Sequence, residues 1–183
     1  MQQPTLKTTR LILNTFENED VADIFGYGSD PEVAKYVPWN AHQSLKDSQE
    51  FLDYVNTSTC NTPGSLFLVF AIRMQGELIG SIDFKNVHAR AGQIDYALSR
   101  RLWGKGIMTE AAGAVRDWSF DTFPEMVRLQ SYCLAVNIKS SRVMEKIGMQ
   151  FEGTGRKAMM FKGEPADVSH YAIVRDNFAR SDL

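Results

Sequence analysis

Short apolar segments in the first half of the chain predict strands. Residues 10–15 alternate between apolar and polar side chains, and further segments follow at 65–73, 77–84 and 92–99. The tetrapeptide "MQGE" lies between the segments at 65–73 and 77–84 and predicts a tight turn with Gly76 at its bend. Because the connections are short, we expect the last three segments to form an antiparallel meander.

Segments with a helical apolar repeat lie between the first strand and the meander. They cover residues 18–28, 30–37 and 44–57. Asn18 is the predicted N-cap of the first helix, and the pair Ser44 and Asp47 has the spacing of a capping box at the start of the third. Leu45 is assigned to the apolar face of that third helix.

The second half of the chain alternates between helices and strands. The predicted elements are a helix over about 106–122, a strand at 127–135, a helix at 140–148 and strands near 150–160 and 167–175. The connection from residue 99 to residue 127 is long enough for a parallel crossover. The order of elements therefore predicts an α+β or mixed α/β fold.

Composition limits the classes of protein that fit. A chain of 183 residues with 44% hydrophobic residues fits one domain over residues 1–183, and a net charge of −2 argues against a nucleic-acid partner. The chain has no long apolar segment of the kind that crosses a membrane or directs secretion, so we expect a cytoplasmic protein. Two cysteines and three scattered histidines predict neither a disulfide framework nor a metal site.

The segment "RRLWGKGIMTEA", residues 100–111, contains two glycines before a predicted helix. A dinucleotide fingerprint requires a third glycine where Thr109 stands. A triphosphate loop requires Ser or Thr after its lysine, but Gly106 follows Lys105. Both of these nucleotide motifs are therefore excluded.

An anion site without a nucleotide fingerprint is consistent with the same segment. Free N–H groups at a helix N-terminus attract anions, and glycines let a phosphate approach the backbone closely. Arg101 and Lys105 add positive charge, and Thr109 adds a hydroxyl donor. A plain strand-to-helix turn explains the glycines equally well, so these residues alone leave both interpretations open.

A family resemblance favours the anion site. Arg101-Leu-Trp-Gly104-Lys-Gly106 resembles the Gln/Arg-x-x-Gly-x-Gly/Ala pattern of the GNAT acetyltransferase superfamily, whose members hold the coenzyme A pyrophosphate there. The longer segment "ALSRRLWGKGIMTEA" is similar to that of the RimJ/RimL-type ribosomal-protein N-terminal acetyltransferases. The segments "TLKTTRLIL", "GELIGSIDF", "NIKSSRVMEKIGMQFEG" and "FKGEPADVSHYAI" extend this resemblance, in order, over nearly the whole chain.

The resemblance implies a fold and a reaction. It implies a mostly antiparallel sheet, flanked by helices and splayed between the strands at 94–98 and 129–135, with the pantetheine arm in the gap. It also implies acetyl transfer from acetyl-CoA directly to a primary amine. The sequence agrees with the absence of an acyl-enzyme, because it has no Gly-x-Ser-x-Gly elbow and no cysteine beside a base.

The resemblance also implies roles for individual residues. Leu98 would supply a backbone oxyanion donor, Asn137 would bind the pantetheine arm, and Ser140 would protonate the leaving sulfur. The residues implied in coenzyme A binding are Leu98, Arg101, Leu102, Gly104, Lys105, Gly106, Ile107, Met108, Thr109, Asn137, Ser140, Arg142 and Lys146. A simpler alternative is that Asn137, Ser140 or Ser141 only caps the helix.

The acceptor and the general base stay open. Asp95 stands where related sequences commonly have glycine, and it either faces solvent or acts near the acceptor. The acceptor amine is a protein N-terminus or a small molecule, and a homodimer is left open. The alternative function is a non-catalytic acyl-CoA-binding sensor module with the same fold.

Overall fold

A single sheet connects the strands in a computed structural model that describes residues 3–62, 65–88 and 90–178. The strands are β1 (Leu6–Lys7), β2 (Ile12–Asn14), β3 (Cys60–Thr62), β4 (Ser65–Met74), β5 (Glu77–His88), β6 (Ala91–Leu98), β7 (Arg128–Leu134), β8 (Gln150–Phe161) and β9 (Glu164–Val174). Within these ranges the sheet has nine strands in the order β1-β2-β4-β5-β6-β7-β9-β8, with β3 paired to β4. The mixed α/β architecture is therefore confirmed.

Helices cover both faces of this sheet. They are α1 (Val21–Gly28), α2 (Pro31–Ala34), α3 (Leu45–Ser58), α4 (Ile107–Thr122) and α5 (Ile138–Lys146). The predicted capping box of α3 is present, because Ser44 and Asp47 bond reciprocally. The prediction of Asn18 as an N-cap is wrong. Glu17 caps a single 3₁₀ turn there, and the Asp20 carboxylate accepts from the Glu17 N–H at 2.8 Å.

The two faces of the sheet have separate apolar cores. On one face, Ile82 and Ile94 pack in a buried cluster with Ala111 of α4. On the other face, Ala71 packs in a cluster with Leu52 of α3. Burial of such side chains stabilises the fold by about 1.5–3 kcal/mol each. Leu45 lies outside this core with 54% of its surface exposed, so its assignment to the apolar face of α3 is wrong.

The connection from β6 through α4 to β7 is the predicted parallel crossover. β6 and β7 pair only through Ala91–Gln93 and Arg128–Gln130. β6 continues to Leu98 and β7 to Leu134 without further pairing between them. The sheet is therefore splayed between these two strands, as the resemblance implies.

Candidate active site

The unpaired half of β6 directs backbone groups into the gap. The Ser99 N–H donates to the Ile79 carbonyl at 2.8 Å, and Gly80 and Leu98 are register partners. In an antiparallel ladder this makes Gly80–Leu98 a pair whose own N–H and C=O groups point away from each other. The Leu98 N–H and C=O therefore point away from β5, towards β7. Because the ladder alternates, the backbone N–H and C=O groups of Tyr96 also point towards β7.

β7 presents its backbone to the gap in the same way. The Ala135 N–H donates to the Asp167 carbonyl at 2.9 Å, and Leu134 and Val168 are register partners. The N–H and C=O groups of Leu134 therefore point away from β9, and alternation extends this to Tyr132. The gap is thus bordered on both sides by peptide groups that a closed sheet would pair.

A cavity of about 460 Å³ occupies this gap. Most residues implied in coenzyme A binding line it: Leu98, Leu102, Gly104, Gly106, Ile107, Met108, Thr109, Asn137, Ser140, Arg142 and Lys146. The structure does not bring Arg101 and Lys105 to the cavity. Arg101 forms an exposed ion pair with Glu77, and Lys105 is exposed.

The glycine loop leads into the N-terminus of α4. Gly104 and Gly106 both have φ of 75°, a conformation that disfavours a side chain, and Gly106 is the N-cap of α4. The N–H groups of the first helical turn have no partner within the helix. Ile107, Met108 and Thr109 in this turn line the cavity, so the positive end of the helix dipole faces it.

Arg10 braces this loop from behind. Its Nη1 donates to the Lys105 carbonyl at 3.1 Å, and its Nε donates to Glu110 at 2.6 Å. Because C=O and N–H point in opposite directions across a trans peptide, the Gly106 N–H points away from Arg10. Sequence reasoning did not identify Arg10, although it lies within the segment "TLKTTRLIL" that carries part of the resemblance.

Glu110 is a buried carboxylate in the first turn of α4. Burial raises its pKa, but hydrogen bonds from Thr8 and Arg10 outweigh burial and hold the pKa below its ordinary value. The Thr8 hydroxyl donates at 2.5 Å and the Arg10 N–H at 2.9 Å. The negative charge of Glu110 is therefore compensated by Arg10 beside a site suited to anions.

The start of α5 closes the cavity opposite the glycine loop. The Asn137 side chain accepts from the Ser140 N–H at 3.3 Å, which makes Asn137 the N-cap. The Tyr96 hydroxyl lies 3.0 Å from Ser140 Oγ. Burial raises the pKa of Tyr96, so its phenol is neutral at physiological pH and remains a proton donor. Tyr96 is therefore a partner of Ser140 as well as a residue of the groove.

Cys133 of β7 lies on the cavity wall. Its Sγ is 3.4 Å from Ser141 Oγ, and burial raises the pKa of the thiol. A protonated, buried thiol is a poor nucleophile. The described residues contain no group of three or more His, Cys, Asp and Glu side chains placed to hold a metal ion.

Asp95 lies on the cavity wall rather than on the outer surface. Its Oδ2 accepts from Lys85 Nζ at 2.7 Å and from Gln93 Nε2 at 2.8 Å. Asp83 is its register partner on β5, and no hydrogen-bond partner within the described residues reaches the buried Oδ1 of Asp83. Burial, together with the charge of Asp95, raises the pKa of Asp83 to about 8.

The chain belongs to the GNAT acetyltransferase family. The sequence model of the acetyltransferase (GNAT) domain matches residues 10–150. The chain is therefore an N-acetyltransferase with acetyl-CoA as its donor, consistent with the splayed sheet.

Named relatives agree with this assignment. The chain is 27% identical to an uncharacterised N-acetyltransferase, p20 of Bacillus licheniformis, over 96% of this chain and 98% of p20. It is 28% identical to a GNAT-family acetyltransferase structure from Bacillus anthracis, with a TM-score of 0.82 and coverage of 94% and 99%.

A structural neighbour also matches the predicted RimL-type fold. The structure of RimL, a ribosomal L7/L12 α-N-protein acetyltransferase, in complex with coenzyme A has a TM-score of 0.78 over 96% of this chain and 100% of RimL. At 19% identity this likeness shows the fold alone. Within the described residues, no helix is long and apolar enough to cross a membrane.

Proposed function

We propose that the protein transfers the acetyl group of acetyl-CoA directly to a primary amine, with no acyl-enzyme. The observation that carries this proposal is the gap between β6 and β7, where the Leu98 N–H faces a cavity that also reaches the N-terminus of α4. Acetyl-CoA bound in that gap would have a hydrogen-bond donor for the oxyanion beside its thioester and an anion site beside its pyrophosphate.

The pyrophosphate would bind the N–H groups of the loop at Gly104 and Gly106 and of the first turn of α4. The pantetheine arm would lie between β6 and β7 and use the N–H groups that face the gap. The carbonyl groups of Leu98 and Leu134 already accept from Trp103 Nε1 and from the Asn137 N–H, each at 2.8 Å. Arg142 and Lys146 of α5 line the same cavity and add positive charge for the phosphates. The loop acts here mainly through backbone amides, since Arg101 is paired with Glu77.

Two groups at the gap, the Leu98 N–H and Ser140 Oγ, supply the chemistry. The amine nitrogen attacks the thioester carbon, and the Leu98 N–H stabilises the resulting oxyanion, a contribution of about 3 kcal/mol for one such donor. The C–S bond then breaks, and Ser140 Oγ gives its proton to the leaving thiolate. The proton that the amine loses returns to Ser140 through solvent, so the products are the amide and the free thiol of coenzyme A.

Ser140 is suited to this role by its contacts. Its hydroxyl lies at the N-terminus of α5 and 3.0 Å from the hydroxyl of Tyr96. The phenol donates its one proton to the Ser140 carbonyl oxygen at 3.2 Å or to Oγ at 3.0 Å. Turning that proton to the developing alkoxide lowers the cost of proton loss from Ser140. Asn137 fixes the same turn through its cap, so its capping and binding roles are compatible.

The test is turnover of acetyl-CoA with a panel of primary amines, following both free thiol and the N-acetyl product. We expect the two products in equal amounts. Binding of coenzyme A without thiol release for any amine would contradict the proposal and support a sensor module. A burst of thiol release before any amide forms would contradict direct transfer, because it indicates an acyl-enzyme.

A further inference from the structure

The gap between β6 and β7 opens to both faces of the sheet. The face covered by α4 and α5 contains the anion site and would be filled by coenzyme A under the proposed function, on which this inference rests. An amine must then reach the thioester from the other face, which α1, α2 and α3 cover. The walls on that face therefore define the class of acceptor.

Apolar and aromatic side chains form most of these walls. They come from α2 and the residues after it, from β7, and from the β8–β9 hairpin: Val33, Tyr36, Val37, Leu134, Met159 and Val168. We call this set the acceptor wall. Val33 and Val168 are buried, with 4% and 2% of their surface exposed. A charged group pressed against the aliphatic side chains of the acceptor wall would lose water without gaining a partner.

A lysine of the β8–β9 hairpin contacts α2 beside this region. Lys162, in the turn of the β8–β9 hairpin, donates from Nζ to the Ala34 carbonyl of α2 at 2.8 Å. This contact joins the hairpin to α2 across the acceptor side.

The carboxylate on the cavity wall is already neutralised. Asp95 has its Oδ2 bound by Lys85 and Gln93, so its charge is matched by the Lys85 ammonium. Burial raises the pKa of Asp83 and so favours its uncharged, protonated form. Asp95, Lys85 and Asp83 together therefore offer little net negative charge to an incoming cation.

We propose that the acceptor is a monoamine, meaning a primary amine carried on an uncharged, apolar group, and that diamines and polyamines are poor acceptors. The reacting nitrogen reaches the thioester while the apolar group contacts the acceptor wall. A second ammonium on the same molecule would meet the aliphatic side chains of the acceptor wall. An alkylamine and a peptide N-terminus with apolar side chains share the required chemistry.

Hexylamine and 1,6-diaminohexane form the matched test, because they differ only in the second ammonium. With the wild-type protein and acetyl-CoA, we expect kcat/KM for hexylamine to exceed that for the diamine by at least about tenfold, or about 1.4 kcal/mol. The tripeptide Met-Leu-Phe amide distinguishes a protein N-terminus from a small-molecule amine as the acceptor. A higher kcat/KM for the peptide indicates a protein N-terminus, and a higher value for hexylamine indicates a small molecule.

Two variants test the cause of the preference. Lys85→Met frees the Asp95 carboxylate and should raise kcat/KM for the diamine relative to hexylamine, whereas Lys85→Arg keeps the charge and should leave the ratio unchanged. Met159→Glu places a carboxylate in the acceptor wall on a partly exposed hairpin and should raise the same ratio, with Met159→Gln as its control. Thermal unfolding confirms that each variant is folded.

The outcomes separate this inference from the proposed function. A wild-type kcat/KM for 1,6-diaminohexane that equals or exceeds that for hexylamine overturns the monoamine proposal while leaving acetyl transfer intact. Binding of coenzyme A with no acetylation of these three amines, or of any amine in the wider panel, overturns the proposed function itself. An unchanged ratio in both folded variants, Lys85→Met and Met159→Glu, overturns the electrostatic cause.

Discussion

The hydroxyl of Tyr96 lies 3.0 Å from Oγ of Ser140 and 3.2 Å from the Ser140 carbonyl oxygen, so strand β6 is joined to the first turn of α5 inside the cavity. The phenol is kept neutral by burial, which raises its pKa. This places a proton donor behind the hydroxyl that we propose as the acid.

Removal of the phenol oxygen should slow catalysis more than it weakens donor binding. We expect Tyr96→Phe to lower kcat by about tenfold, the effect of one hydrogen bond to a developing charge, with little change in the KM for acetyl-CoA. Steady-state kinetics measure this split. Tyr132→Phe removes a phenol from the other wall of the gap and serves as the control, with kcat near the wild-type value.

Removal of the Ser140 hydroxyl should have the larger effect. We expect Ser140→Ala to lower kcat by about a hundredfold, which is typical of a lost general acid, with a smaller change in the KM for acetyl-CoA. The same kinetics check it. A kcat equal to that of the wild type would leave Ser140 as a helix cap or a binding residue.

A side chain at Gly104 should disturb the anion site. Gly104→Val forces a branched residue to φ of 75°, which costs on the order of 1–3 kcal/mol, and adds bulk to the loop that lines the cavity. We expect the Kd for coenzyme A, from calorimetry, to rise at least about tenfold. Gly76→Val imposes similar strain at φ of 86° in the β4–β5 turn. If both variants bind coenzyme A like the wild type, the loop does not hold the pyrophosphate.

Loss of the Arg10 brace should affect only donors that carry a pyrophosphate. Arg10→Met releases the Lys105 carbonyl and leaves Glu110 uncompensated beside the loop. We expect it to reduce the preference for acetyl-CoA over S-acetylpantetheine, measured as the ratio of kcat/KM values, by about tenfold.

Arg73→Met provides a matched control for Arg10→Met. Arg73 binds the buried Asp20 through two hydrogen bonds of 2.7 Å, on the sheet face away from α4. The control should lower the melting temperature and keep the donor preference. If Arg10→Met leaves the donor preference unaltered, Arg10 only stabilises the fold.

Asp83 should make the protein less stable as pH rises. Its pKa is about 8 in the folded protein against 3.8 for the ordinary group, so the folded state keeps a proton that the unfolded state releases between these values. Its contribution to the free energy of unfolding therefore falls from pH 4 to pH 8 and stays low above pH 8.

Asp83→Asn should remove this dependence. The measured quantity is the melting temperature of Asp83→Asn minus that of the wild type. We expect this difference to be larger at pH 9 than at pH 5 by about 2–4 °C or more, because 1 kcal/mol corresponds to that shift in a chain of this size. Asp53→Asn, which changes an exposed carboxylate of α3, controls for the lost charge. An equal difference at both pH values would contradict the buried carboxyl.

Local signals in the sequence explain why much of the fold was predictable. The capping box at Ser44 and the turn at Gly76 depend on neighbouring residues, and the structure has both. The wrong prediction of Asn18 as the N-cap is also local. The cap lies one residue earlier, at Glu17, which forms a capping box with Asp20.

Contacts between distant residues explain what the sequence did not show. Arg10 reaches Glu110 across 100 residues, and Tyr96 reaches Ser140 across 44. No periodicity or motif encodes such pairs, since they arise only when separate elements pack. The assignment of Leu45 is wrong for a related reason: its helical position is apolar, but packing leaves 54% of its surface exposed.

The structure of the complex with coenzyme A is the most direct test of the proposed site. We expect pyrophosphate oxygens within hydrogen-bond distance of the backbone N–H groups between Gly104 and Thr109. We also expect the pantetheine arm between β6 and β7, with the sulfur beside Leu98 and Ser140. A coenzyme A molecule whose pyrophosphate lies away from this loop, or whose thiol lies outside the gap, would contradict the proposed site.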